Sequence, residues 1–124
     1  MTFYRETMVR ANGVDICVEP FGDAANPPIL LIHGAAASML AWEDAFCQGL
    51  VAGGRFVIRY DHRDTGRSVS YEPGAPAYGL SDLMEDAIGI LDAFDLSRAH
   101  LVGRSMGGSI AMLSCLEHPD REAE

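Results

Sequence analysis

Short apolar runs separated by polar turns dominate the first half of the chain, and each run has the length of a β-strand. "ETMVRA" and "VDICVEPF" flank Asn12–Gly13, a pair typical of a type I′ turn, and this pattern predicts a β-hairpin. The loop "GDAANPP" leads into "ILLI", residues 29–32, which is continuously apolar like a strand covered on both faces. "RFVIRY" predicts a further strand, and "DHRDTGRS" is the loop that leaves it.

Apolar residues take helical spacing in the rest of the chain. A helix is predicted over residues 39–52, and a second starts at Leu80 with Ser81 as its N-cap, after the irregular surface segment "YEPGAPAYG". "AHLVG" predicts a last strand, and "MGGSIAMLSCLEH" a helix that is apolar almost all round and therefore buried. The tail "EHPDREAE" is charged and helical in propensity. Together these elements predict an α/β fold in which an antiparallel hairpin leads into a parallel sheet flanked by helices.

Composition narrows the class of protein. The 124 residues are 48% hydrophobic and 22% charged, which indicates one globular domain. A net charge of −9 without a basic stripe argues against a nucleic-acid partner. All nine cationic residues are arginine, which excludes Schiff-base chemistry on lysine and the lysine of a phosphate-binding loop.

Cysteine usage and the N-terminus bear on location. Cys17, Cys47 and Cys115 are odd in number and lack C-x-x-C spacing, so they predict buried free thiols rather than a disulfide framework or a zinc site. "MTFYRETMVR" has no apolar signal region, and no segment approaches the length that crosses a bilayer. We therefore expect a cytoplasmic protein without a membrane partner, a metal or a cofactor.

The stretch "GRSMG" sets Ser105 between a predicted strand and a predicted helix. Gly103 and Gly107 remove the side chains that would obstruct a sharp turn, and Gly108 is expected to let the helix approach the sheet. A serine at this turn lies at the positive end of the helix, where a developing oxyanion is stabilised. One alternative is a serine that only caps the helix. Another is a phosphate-binding glycine loop, but the absence of lysine argues against that second alternative.

The stretch "ILLIHGAAAS" is a candidate for the second half of an oxyanion hole. Such a hole needs two backbone N–H donors, and here one would be Met106 and the other Ala35, with Ala36 as the alternative. His33 could be read as a catalytic base, but hydrogen bonding that braces the loop at Gly34 is the favoured interpretation.

Acidic and basic residues cluster in "YDHRDTGRS". Asp61, His62 and Asp64 could ligate a metal, or Asp61 could be a catalytic acid. The favoured interpretation is a loop brace, in which Arg63 pairs with Asp61 and Gly66 turns the chain.

Three stretches together, "LLIHG", "IRYDHRDTGRS" and "LVGRSMGGSIA", resemble the α/β-hydrolase superfamily. "VIRYDHRDTGRS" followed by "YGLSDLMEDAIGILDAFDLSRAHLVGRSMGG" is similar to the aclacinomycin methylesterase-type serine hydrolases, and the resemblance runs from about Val14 to Arg121. It implies that Ser105 is the nucleophile and that Met106 and Ala35 supply the oxyanion N–H groups.

The chain departs from the superfamily pattern after the serine. The triad runs in the order Ser, then Asp or Glu, then His, whereas His118 is the only histidine after Ser105 and lies about 20 Å along the same helix. The resemblance therefore implies a single partial domain over residues 1–124, the N-terminal half of the fold without its C-terminal strands, cap and Asp/His loops. "AHLVG" would then be a sheet edge prone to self-association.

The function expected from this resemblance is a serine hydrolase that acts on a small-molecule carboxylic ester. Cofactor-free haloperoxidases or perhydrolases, lactonases and C–C hydrolases of the same superfamily are alternatives. A non-catalytic remnant that binds a small apolar ligand or a partner chain is another. A nucleophilic aspartate, as in epoxide hydrolases, is excluded because position 105 is serine.

Overall fold

The computed structural model describes residues 6–35, 37–71 and 78–123, which form one mixed sheet with helices on both faces. Its strands are β1 (Thr7–Ala11), β2 (Val14–Phe21), β3 (Pro28–Ile32), β4 (Phe56–Tyr60) and β5 (His100–Gly103). The helices are α1 (Asp44–Ala52), α2 (Leu80–Ala93) and α3 (Met106–Glu117), with 3₁₀ turns at Met39–Ala41 and Pro119–Arg121. Most of the predicted irregular segment, residues 72–77, lies outside the described residues.

The N-terminal hairpin is confirmed. β1 and β2 pair antiparallel with Ala11 opposite Val14, and the two residues between them, Asn12 and Gly13, have φ of 51° and 79°. Positive φ at both central positions is the mark of the type I′ turn that the Asn–Gly pair predicted.

The strand order β1-β2-β4-β3-β5 confirms the predicted α/β architecture. β2 pairs antiparallel with β4, whereas β3 lies parallel to both β4 and β5. Because the carboxyl ends of parallel strands meet at one edge of a sheet, the loops that follow β3, β4 and β5 are brought together there.

Apolar residues of the central strands are buried on both faces of the sheet. Leu30, Ile32 and Ile58 pack toward α2 and α3, while Leu31 and Val57 pack toward α1. This two-sided burial explains why β3 is continuously apolar instead of alternating with polar residues.

Two predicted helix starts are wrong. The single helix expected over residues 39–52 is divided, because Trp42 and Glu43 adopt extended conformations between the 3₁₀ turn and α1, and the Trp42 ring is buried. Ser81 does not cap α2. Gly79 is the N-cap, and its N–H donates to the Asp82 carboxylate over 2.8 Å.

The elbow helix α3 is not buried as predicted. Met112 and Leu116 are 69% and 77% exposed, because no described element covers that side of the helix. β5, as expected, is an edge strand of the described sheet, and its Val102 is 39% exposed.

The burial of one cysteine and the conformation of the C-terminal tail differ from the predictions. Cys17 and Cys47 are buried, but Cys115 is only half-buried, and its thiol contacts Glu122. The tail forms the 3₁₀ turn and then a parallel bridge between Glu122 and Ala99 instead of continuing as a helix. Within the described part of the chain, no helix is long and apolar enough to cross a membrane.

Candidate active site

Ser105 stands on a sharp turn between β5 and α3. Its φ of 55° and ψ of −117° are uncommon for a residue with a side chain, and holding them costs about 1–3 kcal/mol. The residue is exposed, and although it occupies the N-cap position, its side chain makes no capping hydrogen bond. Helix capping therefore does not account for this serine.

The glycines around Ser105 allow the backbone of α3 to lie directly against the backbones of β5 and β3. A Cβ on Gly103 would lie 2.2 Å from the carbonyl group of Gly107, and one on Gly107 would lie 2.1 Å from the carbonyl oxygen of Ile32. A Cβ on Gly108 would be 3.6 Å from its nearest neighbour, an ordinary contact. The close approach of helix to sheet predicted for Gly108 is thus made by Gly107 instead.

The two predicted oxyanion donors flank this turn. A Cβ on Gly34 would lie 3.4 Å from that of Ser105, so the loop after β3 runs directly beside the serine. Of the residues that the structure describes, none accepts a hydrogen bond from the N–H of Ala35 or of Met106. Their assignment as an oxyanion hole stays a prediction, and Ala36, the alternative donor, lies outside the described residues.

A cavity of about 240 Å³ opens next to these amides. Gly34, Ala35 and Met106 line it on one side, and Thr65, Tyr78 and Leu83 are among the residues on the others. It offers a mixed apolar and polar space, large enough for a small organic group, next to Met106, the residue that follows the candidate nucleophile.

His33 and His62 form a buried pair beneath this loop. The His33 Nδ1 atom is 2.6 Å from the Gly34 carbonyl oxygen, and the His62 N–H donates to His33 Nε2 over 3.1 Å. Burial lowers the pKa of His33 and, together with the neighbouring His33, lowers that of His62 to about 4. Both imidazoles are therefore neutral at neutral pH, and His33 has the bracing contacts expected of it.

Asp61 links the loop after β4 to the turn that follows β3. Its buried carboxylate accepts the N–H groups of Met39, over 2.9 Å, and Arg67, over 3.1 Å. Gly66 has a φ of 49°, and a Cβ there would lie 2.2 Å from a carboxylate oxygen of Asp61. Gly66 thus turns the chain as predicted, directly against the carboxylate.

The predicted pairing of Arg63 with Asp61 is wrong. The Arg63 guanidinium binds Asp86 on α2 through two hydrogen bonds of 2.7 and 2.9 Å, and this contact raises the pKa of Arg63. In the sequence Asp86 follows Glu85 on the predicted helix, and its only distinguishing signal is that Leu83 and Ile90, three and four positions away, place it beside the apolar face. Asp64 accepts the Tyr71 N–H, so the carboxylates of Asp61 and Asp64 have separate partners rather than a shared centre.

None of the four histidines is placed as a base for Ser105. Both ring nitrogens of His33 are engaged, and the one unpartnered ring nitrogen of His62, Nδ1, is buried. His100 starts β5, five residues before Ser105, or about 16 Å along an extended chain. His118 follows the last residue of α3, at the other end of the helix from Ser105. Its Nε2 atom lies 3.1 Å from a carboxylate oxygen of Glu85.

Comparison with known proteins decides the family. The family described as the alpha/beta hydrolase fold matches residues 27–121. The chain belongs to the alpha/beta hydrolase family. The architecture and the turn at Ser105 agree with that assignment.

Relatives within the family are hydrolases. The chain is 45% identical over 114 residues to the rhodomycin D methylesterase DauP of Streptomyces sp. (strain C5), and 44% identical to DnrP of Streptomyces peucetius, which has the same description. Each match covers 92% of this chain and 38% of the relative, so the chain spans well under half the length of these alpha/beta hydrolases. The crystal structure of epoxide hydrolase A from Mycobacterium thermoresistibile superposes with a TM-score of 0.89 at 30% identity, over 98% of this chain and 37% of that one.

Proposed function

We propose that this chain carries the nucleophile and the oxyanion hole of a serine hydrolase for carboxylic esters, with a methyl ester of a small molecule as the substrate class. The observation that carries the proposal is the turn at the start of α3, where Ser105 is exposed and its backbone has a positive φ. The description of DauP and DnrP as methylesterases supports the choice of substrate.

The proposed reaction is acyl transfer through an acyl-enzyme. Ser105 Oγ attacks the carbonyl carbon of the ester. The negative charge that then forms on the carbonyl oxygen is stabilised by the N–H groups of Met106 and Ala35. A base takes the proton of Ser105 and returns it to the departing alkoxide, which leaves as the alcohol. Water then cleaves the acyl-enzyme, which releases the carboxylic acid and restores the hydroxyl.

We further propose that the base and its acidic partner come from outside these 124 residues. None of the four histidines is placed to accept the proton of Ser105, and the chain covers 38% of the methylesterases that it matches. The oxyanion N–H groups and substrate binding alone give only a residual rate, thousands-fold below that of a complete triad.

The proposal is tested by labelling the purified chain with a fluorophosphonate and locating the label by peptide mass spectrometry. We expect label on Ser105, none in Ser105→Ala, and unchanged labelling in Ser109→Ala. Ser109 is a suitable control because it is exposed on the same helix, four residues further along. Label of equal intensity in Ser105→Ala, or none in the unsubstituted protein even with added imidazole, would contradict the proposal.

Added imidazole tests the separate claim that the base is missing. A diffusible base that reaches the cavity beside Met106 should accelerate labelling of Ser105 with a saturable dependence on its concentration. The control is imidazolium methylated on both ring nitrogens, at the same ionic strength, because it carries a permanent charge and cannot accept a proton. Equal rates with both compounds would show that no base is lacking.

A further inference from the structure

We propose that His33 is a positioning residue that fixes the direction of the Ala35 N–H by holding the Gly34 carbonyl. This inference rests on the proposed role of Ala35 as an oxyanion donor and assigns the group that keeps the donor in place. It goes beyond loop bracing, because it ties one atom of His33 to the direction of one amide.

The contacts of His33 define its tautomer. Nδ1 lies 2.6 Å from the carbonyl oxygen of Gly34, and because a carbonyl oxygen can only accept, Nδ1 carries the proton. Nε2 lies 3.1 Å from the backbone nitrogen of His62, and because a backbone amide can only donate, Nε2 is unprotonated. The two contacts require the same neutral form, so each supports the other.

A planar peptide group transmits this hold to Ala35. The Gly34 carbonyl and the Ala35 N–H belong to the same trans peptide, in which they point in opposite directions. While His33 binds the oxygen, the Ala35 N–H faces away from the buried imidazole. A flip of this peptide would exchange an N–H for a carbonyl oxygen beside the serine, where it would repel an oxyanion.

His62 holds the His33 residue at two points. Besides the bond from its own N–H, its Nε2 lies 2.8 Å from the His33 carbonyl oxygen, and the two rings are 4.2 Å apart. The Thr65 hydroxyl donates to the His62 carbonyl over 2.7 Å, which leaves the His62 N–H as the donor to His33 Nε2. The side chain and the main chain of His33 are thus both fixed from the loop after β4.

Two substitutions separate positioning from simple stabilisation. In His33→Asn the side-chain N–H lies near the position of imidazole Nδ1 and can still bind the Gly34 oxygen. In His33→Gln the amide reaches the position of Nε2 instead and leaves the Gly34 oxygen without its donor. Each variant loses one of the two shorter side-chain hydrogen bonds, and the Thr65 hydroxyl, 3.4 Å from Nε2, is a weaker contact, so we expect similar decreases in the midpoint of thermal unfolding.

Labelling of Ser105 by a fluorophosphonate should differ between these variants. We expect the maximal labelling rate of His33→Asn within about threefold of the unsubstituted protein, and that of His33→Gln about 10- to 100-fold lower, with probe affinity unchanged in both. Slower labelling of His33→Gln than of His33→Asn at equal stability would support the proposal. Equal rates, or faster labelling of His33→Gln, would overturn it.

Two measurements decide the proposal without any reactivity of Ser105. Long-range ¹H–¹⁵N NMR at pH 7 should show His33 protonated on Nδ1, and the opposite tautomer would overturn the proposal. A crystal structure of His33→Gln should show the Gly34–Ala35 peptide rotated, and an unchanged peptide would likewise overturn it. A protein that is never labelled would refute the proposed function, while these two results would still decide the role of His33.

Discussion

The carbonyl oxygen of Ile32, at the end of β3, occupies the space in which a side chain of Gly107 would lie. A Cβ on that glycine would be 2.1 Å from the oxygen, far inside van der Waals contact. The first turn of α3 therefore rests on the backbone of the neighbouring strand, and this contact sets where Ser105 stands relative to the loop after β3.

Gly107→Ala should destabilise the fold by about 3 kcal/mol or more, because strand or helix backbone must move to admit the methyl group. Gly108→Ala is the matched control. Its Cβ meets only an ordinary contact at 3.6 Å, and alanine is favoured over glycine in a helix by up to about 1 kcal/mol. Urea unfolding of the two variants measures both effects, and equal losses would contradict the close contact at Gly107.

Stability should fall in acid because of the buried His62. The folded chain holds the pKa of this imidazole at about 4, whereas an unfolded histidine has its usual value of 6.5. Between these values the unfolded chain binds a proton that the folded chain does not, so stability rises with pH across the window and is complete above it. The contribution is up to about 3 kcal/mol.

Unfolding free energies at pH 7.5 and pH 4.5 check this prediction. His62→Asn, which cannot titrate, should show a smaller difference between the two pH values than the unsubstituted protein. His100→Gln, a change at the start of β5, should retain the full difference. An unaltered pH dependence in His62→Asn would show that other groups cause the acid sensitivity.

The ion pair of Arg63 with Asp86 should matter far more than an exposed pair. Both partners are buried, at 8% and 1% exposure, so Asp86→Ala leaves an uncompensated charge inside and should cost about 3–5 kcal/mol. The control is Asp15→Ala, which removes an exposed partner of Arg10 and should cost about 1 kcal/mol or less. Comparable losses in the two variants would contradict the burial of Arg63.

Self-association through the uncovered side of the fold remains a prediction. We expect sedimentation velocity to show oligomers that increase with protein concentration and with salt, which screens the net charge of −9. The double variant Met112→Glu/Leu116→Glu should be more monomeric. Leu40→Glu, at an apolar residue 62% exposed on the 3₁₀ turn, should not change the distribution. A monomer at all concentrations would contradict self-association.

Much of the fold could be predicted because its signals are local. Asn12 and Gly13 both adopt a positive φ, and this residue pair alone is enough to predict the turn. The apolar run of β3 reflects side chains that are buried on both faces of the sheet. The turn at Ser105 was also predictable, since a glycine on each side of a serine between strand and helix serves one backbone geometry.

What could not be predicted depends on residues distant in the chain. Arg63 binds Asp86, 23 positions away, because the packing of α2 against β1 and α3 brings this carboxylate to the loop after β4. No local pattern distinguishes Asp86 from Asp61 as the partner. The division between the 3₁₀ turn and α1 has a similar origin, since burial of Trp42 overrides the helical propensity of its neighbours. The exposure of α3 follows from the absence of a covering element among the described residues, which periodicity does not reveal.

The left-handed backbone at position 105 also restricts which nucleophiles this frame can present. Unbranched residues such as serine, cysteine or aspartate tolerate that conformation at moderate cost, whereas threonine, with two heavy atoms on Cβ, is strongly disfavoured there. Exchange of one hydroxyl, thiol or carboxylate for another is therefore open to this scaffold by a single substitution. Threonine as the nucleophile at position 105 would first require a turn with a different backbone conformation.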